Sequence, residues 1–463
     1  MQLNEKSLLF QFDGRPSLKE IIPLGLQHVV AMIVGCVTPA IIVAGVSNLA
    51  PHDKILLIQT SLIFSGIATL IQLFPLFRKI GSGLPIIMGV SFAYVPTLTA
   101  IAGEFDIATI FGAQVVGGIV AIIFGIFVKK LAKFFPLVVT GTVIFSIGLS
   151  LYSVAIKYIA GGAGSPEFGS PKNWAVAMIT LAVVVFLNHF TKGTLKLASI
   201  LVGIVVGYIV ALFLGMISFD SVASAGYFEM PKFMHFGMTF NATAIISMVI
   251  MHIVNSVQAI GDLSATTGGG MDRMPTDEEL SGGIIGNGVS SILGSFFGCM
   301  PTATFSQNVG IVTVNKVINR SVFVFASIVI IISGIVPKFS AVLTSIPQCV
   351  LGGATLSVFA TITMTGVKMI AQSKLTNRNV ALVGLSVALG VGIVQVPDSL
   401  ALFPSWAISI FGKSSIVVTT LVAIFLNLVL PKDKEETTPE KDIESAEEVE
   451  KELEKKSEEV VQV

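Results

Sequence analysis

Long apolar runs separated by short polar turns recur along most of this chain. The first half carries them at 21–44, 55–73, 84–98, 107–128, 131–156, 174–190 and 197–219. The second half carries them at 242–263, 281–299, 301–314, 322–336, 341–367, 380–394 and 416–429. A helical crossing of a bilayer takes about 20 predominantly apolar residues. The pattern therefore predicts an all-α polytopic membrane protein with about fourteen transmembrane segments, seven in each half.

Two of these runs depart from the pattern at the same place in their halves. The third run of each is short, interrupted by Pro and Gly, and less apolar than its neighbours: GSGLPIIMGVSFAYVP over 81–96 and MPTATFSQNVGIVTVN over 300–315. Interrupted segments at corresponding positions of two halves point to an inverted-repeat transporter with a site near the bilayer midplane. An odd number of crossings per half is what makes the repeats inverted. The competing reading is that glycines such as Gly89 only let helices pack closely. The stretch 301–320 is the more polar of the two. A buried amide such as those of Gln307 and Asn308 costs roughly 2–7 kcal/mol if left unpaired. Pro301 and Gly310 bracket it, and Thr302, Thr304, Val309 and Val312 favour extended backbone over helix. The expected result is a discontinuous segment lining a cavity, the one setting in which irregular backbone is tolerated at membrane depth.

Composition supports this and narrows the class. Of 463 residues, 53% are hydrophobic and 12% charged, against about 25% charged in soluble domains. The zero net charge gives no footing for nucleic acid. Cys36, Cys299 and Cys349 fall in apolar stretches, as small core residues do. The polar start, MQLNEKSLLFQFDGRPSLKE, lacks the pattern of a cleavable signal. Basic residues alternate between loops: Arg78 and Lys79, Lys129 to Lys133, Lys192 and Lys196, Arg273, Lys316 and Arg320, and Lys368 to Arg378 fall on one side, which the positive-inside rule makes cytoplasmic. Asp53, Glu104, Asp106, Glu167, Asp220, Glu229 and Asp398 fall opposite. Residues 1–20 and both termini are then cytoplasmic, and the unit 21–430 lies in the cell membrane. Residues 432–463 form a Lys/Glu-rich tail too polar to fold alone, and solvation is its expected state.

Ionisable or strongly polar residues within membrane runs are functional candidates by default. Asp262, ending HIVNSVQAIGD, is the clearest carboxylate and a candidate proton or sodium handle; the alternative is a helix-end aspartate satisfied by neighbours such as Ser264 and Thr266. Asn255, Gln258 and Asp262 form one stripe on the eighth segment. His28, beside Gln27, is a candidate bridge from the first segment to an amide or carboxylate elsewhere, whereas core packing is expected of His252. Asn287 is the one strongly polar side chain in the small-residue run SGGIIGNGVSSILGS, suited to an interhelical hydrogen bond or a direct role. There is no HExxH and no GxSxG, and Gly268 to Gly270 lack the Lys-Ser/Thr of a phosphate loop. No filter-like carbonyl repeat marks a channel. An enzyme is not expected, nor any cofactor beyond a coupling ion.

Gln307-Asn308-Val309-Gly310 followed by Asn315-Lys316, the Gln27-His28 pair, GVSFAYV around Ser91-Phe92 and QAIGDLSAT over 258–266 together resemble the nucleobase–ascorbate transporter family, which includes xanthine, urate and uracil permeases. The resemblance covers nearly the whole chain outside the tail. It implies a seven-plus-seven inverted repeat, with a core (21–128 and 242–336) carrying the substrate and a gate (131–219 and 341–430) that also forms a homodimer. It further implies a base held by Ser91, Phe92, Gln258, Phe305, Ser306 and Gln307, with Phe92 and Ser306 offering backbone N–H groups, Gln307 its side-chain amide, and Asn308 bracing the site. Members with glutamine at position 307 carry xanthine or urate; glutamate goes with uracil and proline with ascorbate. Three positions depart from the family: Asn315 replaces a threonine, Gln258 the usual glutamate and Asn287 the aspartate of close purine carriers. An amide does not exchange a proton near neutral pH. Coupling therefore falls to Asp262, with or without His28, or is by sodium, or is absent. The expected function is a symporter of a purine base working by movement of core against gate. A uracil or ascorbate carrier of the same fold and an uncoupled facilitator are the alternatives.

Overall fold

The computed structural model describes residues 8–412 and 414–431; the acidic tail expected over 432–463 lies outside them. The protein is mostly helical, and among the described residues fourteen helices have ten or more residues. They are α1 (Leu18–Val46), α2 (Pro51–Leu73), α3 (Val95–Glu104), α4 (Ile107–Ile126), α5 (Leu137–Ile159), α6 (Pro171–Phe190), α7 (Ser199–Phe213), α8 (Ala242–Met271), α9 (Asp277–Phe296), α10 (Ser306–Asn315), α11 (Arg320–Ile335), α12 (Gln348–Gln372), α13 (Asn377–Gln395) and α14 (Ser415–Val429). Eight of them are long and apolar enough to cross a membrane, and α7 and α14 are shorter apolar helices. Their outward faces carry side chains such as Phe186, Phe190, Phe213 and Phe425, exposed as lipid-facing residues are.

Local chemistry sets the helix ends. Asn241 Oδ1 accepts from the Thr243 and Ala244 amides at the start of α8. At the start of α9, Thr276 and Glu279 form a reciprocal capping box, and Arg273 clamps the Glu279 carboxylate with both terminal nitrogens. The buried guanidinium of Arg378 donates to the Asn427 carbonyl and side chain, satisfying the end of α14.

Two strands of three residues interrupt the helices. β1 (Met88–Val90) pairs antiparallel with β2 (Thr302–Thr304), with Gly89 opposite Ala303. A turn at Phe92–Tyr94 and then α3 follow β1, and α10 follows β2 directly. Because the strands are antiparallel, the two helices leave the crossing in opposite directions, with their N-terminal ends turned toward it. Buried side chains take up backbone groups freed at these breaks: Thr69 Oγ1 accepts from Met88 N, Gln72 bridges Ser82 N and Gly283 O, and Gln114 donates to Ser291 O and Cys299 O. Without such partners, the groups would be orphaned at a depth that offers little water.

Packing follows one scheme twice. α1 packs on α11 as α8 does on α4, and α2 on α11 as α9 does on α4; α6 packs on α12 as α13 does on α5. Helices α1–α4 and α8–α11 form one group, and α5–α7 with α12–α14 the other. In the second group α5 and α12 touch backbone to backbone: a Cβ on Gly148 would lie 2.2 Å from Thr363 Oγ1, and one on Gly366 2.3 Å from Phe145 N.

Several boundaries differ from the sequence expectation. The run at 341–367 divides at Pro347: Pro337–Thr344 follows α11 after an 81° bend, and α12 starts afresh at Gln348. Proline cannot donate to the preceding turn and biases the residue before it away from helix. The eighth segment runs to Met271 rather than 263. Gly269 and Gly270 in its last turn lie against α10, a Cβ on Gly269 meeting Thr313 at 2.5 Å and one on Gly270 meeting Val312 at 2.7 Å. Extended backbone ends at Thr304, so Val309 and Val312 are helical. There the hydrogen bonds of α10 and burial of both valines override their β preference.

The crossing has little room to spare. Phe305 is wedged between α1 and β1, its ring 2.6 Å from where a Cβ on Gly35 would sit and 2.5 Å from one on Gly89. Gly89→Ala is expected to cost about 1–3 kcal/mol through overpacking. A thermal-unfolding midpoint in detergent unchanged from wild type would contradict that.

Candidate transport site

A cavity of about 380 Å³ lies between the two helix groups, within the usual range for small-molecule sites. One wall comes from the strand crossing and α8: Ser91, Phe92, Gln258, Asp262, Phe305, Ser306 and Gln307 all line it. The facing wall is α5 and α12, with Leu137, Ile144 and Ile147 opposite a stripe from Val358 to Gln372.

Each polar group is positioned by the element beneath it. Ser91 accepts from Ala93 N through Oγ, and its own N–H donates to Pro301 O, which fixes the turn that presents Phe92. The Phe92 ring meets Phe359 of α12 edge-on, 5.2 Å between centroids. Ser306 and Gln307 occupy the first turn of α10 and are exposed to the cavity. Their N–H groups belong to the set that has no intrahelical partner, so this end offers donors and a favourable dipole to a carbonyl or anionic oxygen.

Asp262 is buried, and its two carboxylate oxygens are held separately. Oδ2 accepts from Thr304 Oγ1 at 2.5 Å, and Oδ1 from Ser306 Oγ at 2.7 Å. One donor ends β2 and the other begins α10, so a single carboxylate clasps the junction that carries Gln307. Gln258 stands one turn earlier on α8, also on the cavity wall.

The other candidates lie behind this surface. Asn308 is buried and donates through Nδ2 to His28 Nδ1 at 3.0 Å and to His28 O at 3.1 Å. The acceptor role leaves the His28 proton on Nε2, and the ring packs on Phe323. At the other end of α10, its last residue Asn315 donates to Gln27 Oε1 at 3.2 Å. Gln27 and His28 thus pin α10 to α1 at two points, and neither lines the cavity. Asn287 is buried beside β2, its Oδ1 3.4 Å from Thr302 Oγ1. His252 is buried, bonded to Met248 O and packed edge-on against Tyr94; Asn255 is buried too and does not line the cavity.

Sequence reasoning did not pick out the facing wall. Thr361 and Thr365 spend their hydroxyl protons on Ser357 O and Thr361 O of their own helix, leaving lone pairs toward the cavity. The signal was the spacing of Thr361, Thr365 and Gln372, which puts polar groups on one side of an otherwise apolar helix.

The family model described as Permease family matches residues 19–399. The chain belongs to the nucleobase–ascorbate transporter family. This permease is 36% identical to the xanthine permease of Bacillus subtilis over 423 residues, covering 90% of this chain and 94% of that one. It is 35% identical to the uric acid permease PucJ of the same organism over 427 residues, with the same shares covered. Against the xanthine permease XanP of Escherichia coli K12 it is 30% identical over 452 residues, 94% of this chain and 97% of that one. Among solved structures, the transmembrane domain of the cyanobacterial bicarbonate transporter BicA is similar, with a TM-score of 0.56 and 14% identity over 88% of this chain and 97% of that one. Murine Slc26a9, an anion transporter, gives a TM-score of 0.60 and 11% identity over 91% and 69%; at such identities these two speak for the fold alone. The permease is a multi-pass membrane transporter and not an enzyme.

Proposed function

We propose that this permease is a secondary active transporter of a purine nucleobase, xanthine or urate, driven by a proton or sodium gradient. The observation that carries the reading is the convergence of the Gln307 and Gln258 amides, the Phe92 ring and the first turn of α10 on one cavity between two helix groups. The names of the relatives support the same cargo. A purine dione presents alternating N–H donors and carbonyl acceptors at its edge, and a side-chain amide both donates and accepts. Gln307 pairs with one edge, the N-terminal N–H groups of α10 take a carbonyl, and the Phe92 ring covers the flat face. Such a site discriminates strongly because a wrong edge leaves buried groups unpaired.

Asp262 is the coupling group in this reading. A proton or sodium ion on its carboxylate competes with the hydroxyls of Thr304 and Ser306, and so alters the hold on the segment that presents Gln307. Helices α1–α4 and α8–α11 form a core that shifts against the gate made of the other group, in a fourteen-crossing inverted repeat. The doubled packing scheme supports the repeat. The basic loops mark the cytoplasmic face, and the grouping of Lys129 with Asp277, Arg273 with Glu279 and Lys316 with Asp272 at one end of the core supports that orientation. The working unit is a homodimer.

The amides at 258 and 287 favour one second reading, an uncoupled facilitator. Proteoliposomes given labelled xanthine, urate, uracil or ascorbate, with proton and sodium gradients imposed separately, decide between them. Concentrative uptake of xanthine or urate is expected under one gradient. Equilibrating flux under both would leave the facilitator, and preference for uracil or ascorbate would overturn the cargo.

A further inference from the structure

The cavity reaches only one end of the boundary between the helix groups. On α5 its lining stops at Ile147, and on α12 nothing before Val358 takes part. The mouth lies where α5 begins, at Leu137, and α12 ends, at Gln372. At the other end of these antiparallel helices the boundary is shut against α1. A Cβ on Gly45 would lie 3.6 Å from Tyr158 Oη and 3.6 Å from Gln348 Nε2. Tyr158 is next to last in α5 and Gln348 is first in α12. From Leu137 to Tyr158 the helix rises by about 31 Å, close to the hydrocarbon thickness of a bilayer.

How this contact is held bears on its role. Tyr158 is 7% exposed, and its hydroxyl has no hydrogen-bond partner; the Ser47 hydroxyl, just past the end of α1, is likewise buried without one. Gln348 lies over Gly162, where φ is +91° and a Cβ would overlap Oε1. The seam is thus a packing contact across small residues, without a hydrogen bond from Tyr158 or Ser47 to give up when it parts, and water entering would satisfy both hydroxyls.

Resting on the proposed shift of core against gate, we propose that Gly45, Tyr158 and Gln348 form the closure on the side of the membrane opposite the cavity mouth, and that this contact parts to admit the base from that side.

The test joins the two sides of the seam. Gly45→Cys with Gln348→Cys, bridged by a short cleavable bifunctional thiol reagent, is expected to lose xanthine uptake by about tenfold or more and to recover it on reduction, while each single variant keeps its rate. Xanthine binding to the bridged protein in detergent is expected to persist, since the mouth lies at the other end. Full transport by the bridged protein, or failure of two individually reactive cysteines to bridge, overturns the proposal. Spin labels at the same positions give a readout that does not depend on cargo, so an error in the assigned substrate is separable: two separations are expected in membranes, and a single short one overturns the seam. Should the double variant not assemble, Gly45→Trp forces the contact apart; labelling of a Gln372→Cys variant at the mouth is then expected to fall, and unchanged labelling would count against the closure.

Discussion

Gln307→Ala is expected to abolish base uptake or re-rank its substrates while the protein still reaches the membrane. The side chain projects from the first turn of α10 into the cavity and is exposed there. Its removal therefore leaves the packing of α10 on α1 intact, because that rests on Asn308 with His28 and Asn315 with Gln27. What is lost is a donor and an acceptor facing the base, at about 1–3 kcal/mol for a polar edge left unpaired, or roughly fivefold to 150-fold in apparent affinity. Competition of unlabelled purines against labelled xanthine measures it. An unaltered inhibition profile would remove Gln307 from the site.

The second large effect is expected at Asp262. In Asp262→Asn the amide keeps one acceptor for the Thr304 or Ser306 hydroxyl and turns a donor to the other, so the strand-to-helix junction survives while the charge is gone. Counterflow of labelled base between equal concentrations on the two sides is expected to continue. Accumulation against a gradient is expected to disappear, together with the response to imposed proton or sodium gradients. An asparagine variant that still concentrates its substrate would place coupling elsewhere. Gln258 and Asn287 are poor alternatives, because neither amide carries an exchangeable charge near neutral pH.

The two experiments interrogate one piece of backbone. Asp262 holds Thr304 and Ser306, and Gln307 is the next residue along the chain. Under the proposed function, a cation at the carboxylate and a base at Gln307 would act through the same few bonds, an arrangement in which one ligand alters the affinity for the other through a shared element.

Much of this was legible in the chain. Apolar runs gave the helical class because a backbone surrounded by lipid must bond to itself, and the matched irregular stretches at 81–96 and 300–315 marked where the strand pair forms. Ser91, Phe92, Gln258, Asp262 and Phe305 to Gln307 were singled out from sequence, and they line one cavity. The register of Met88 against Thr304 and the placement of Thr361, Thr365 and Gln372 opposite them were not legible. His28 and Asn287 were singled out as well, yet they lie behind the cavity wall, bonded to Asn308 and Thr302. The reason is physical. Hydropathy and chain-breaking residues act over one or two turns and so determine which segments are helical and where they break. Whether a polar side chain faces the cavity or a neighbouring element depends on contacts between separate segments, 15 residues apart in sequence for Asn287 and Thr302 and 280 for His28 and Asn308, and only the packed structure decides it.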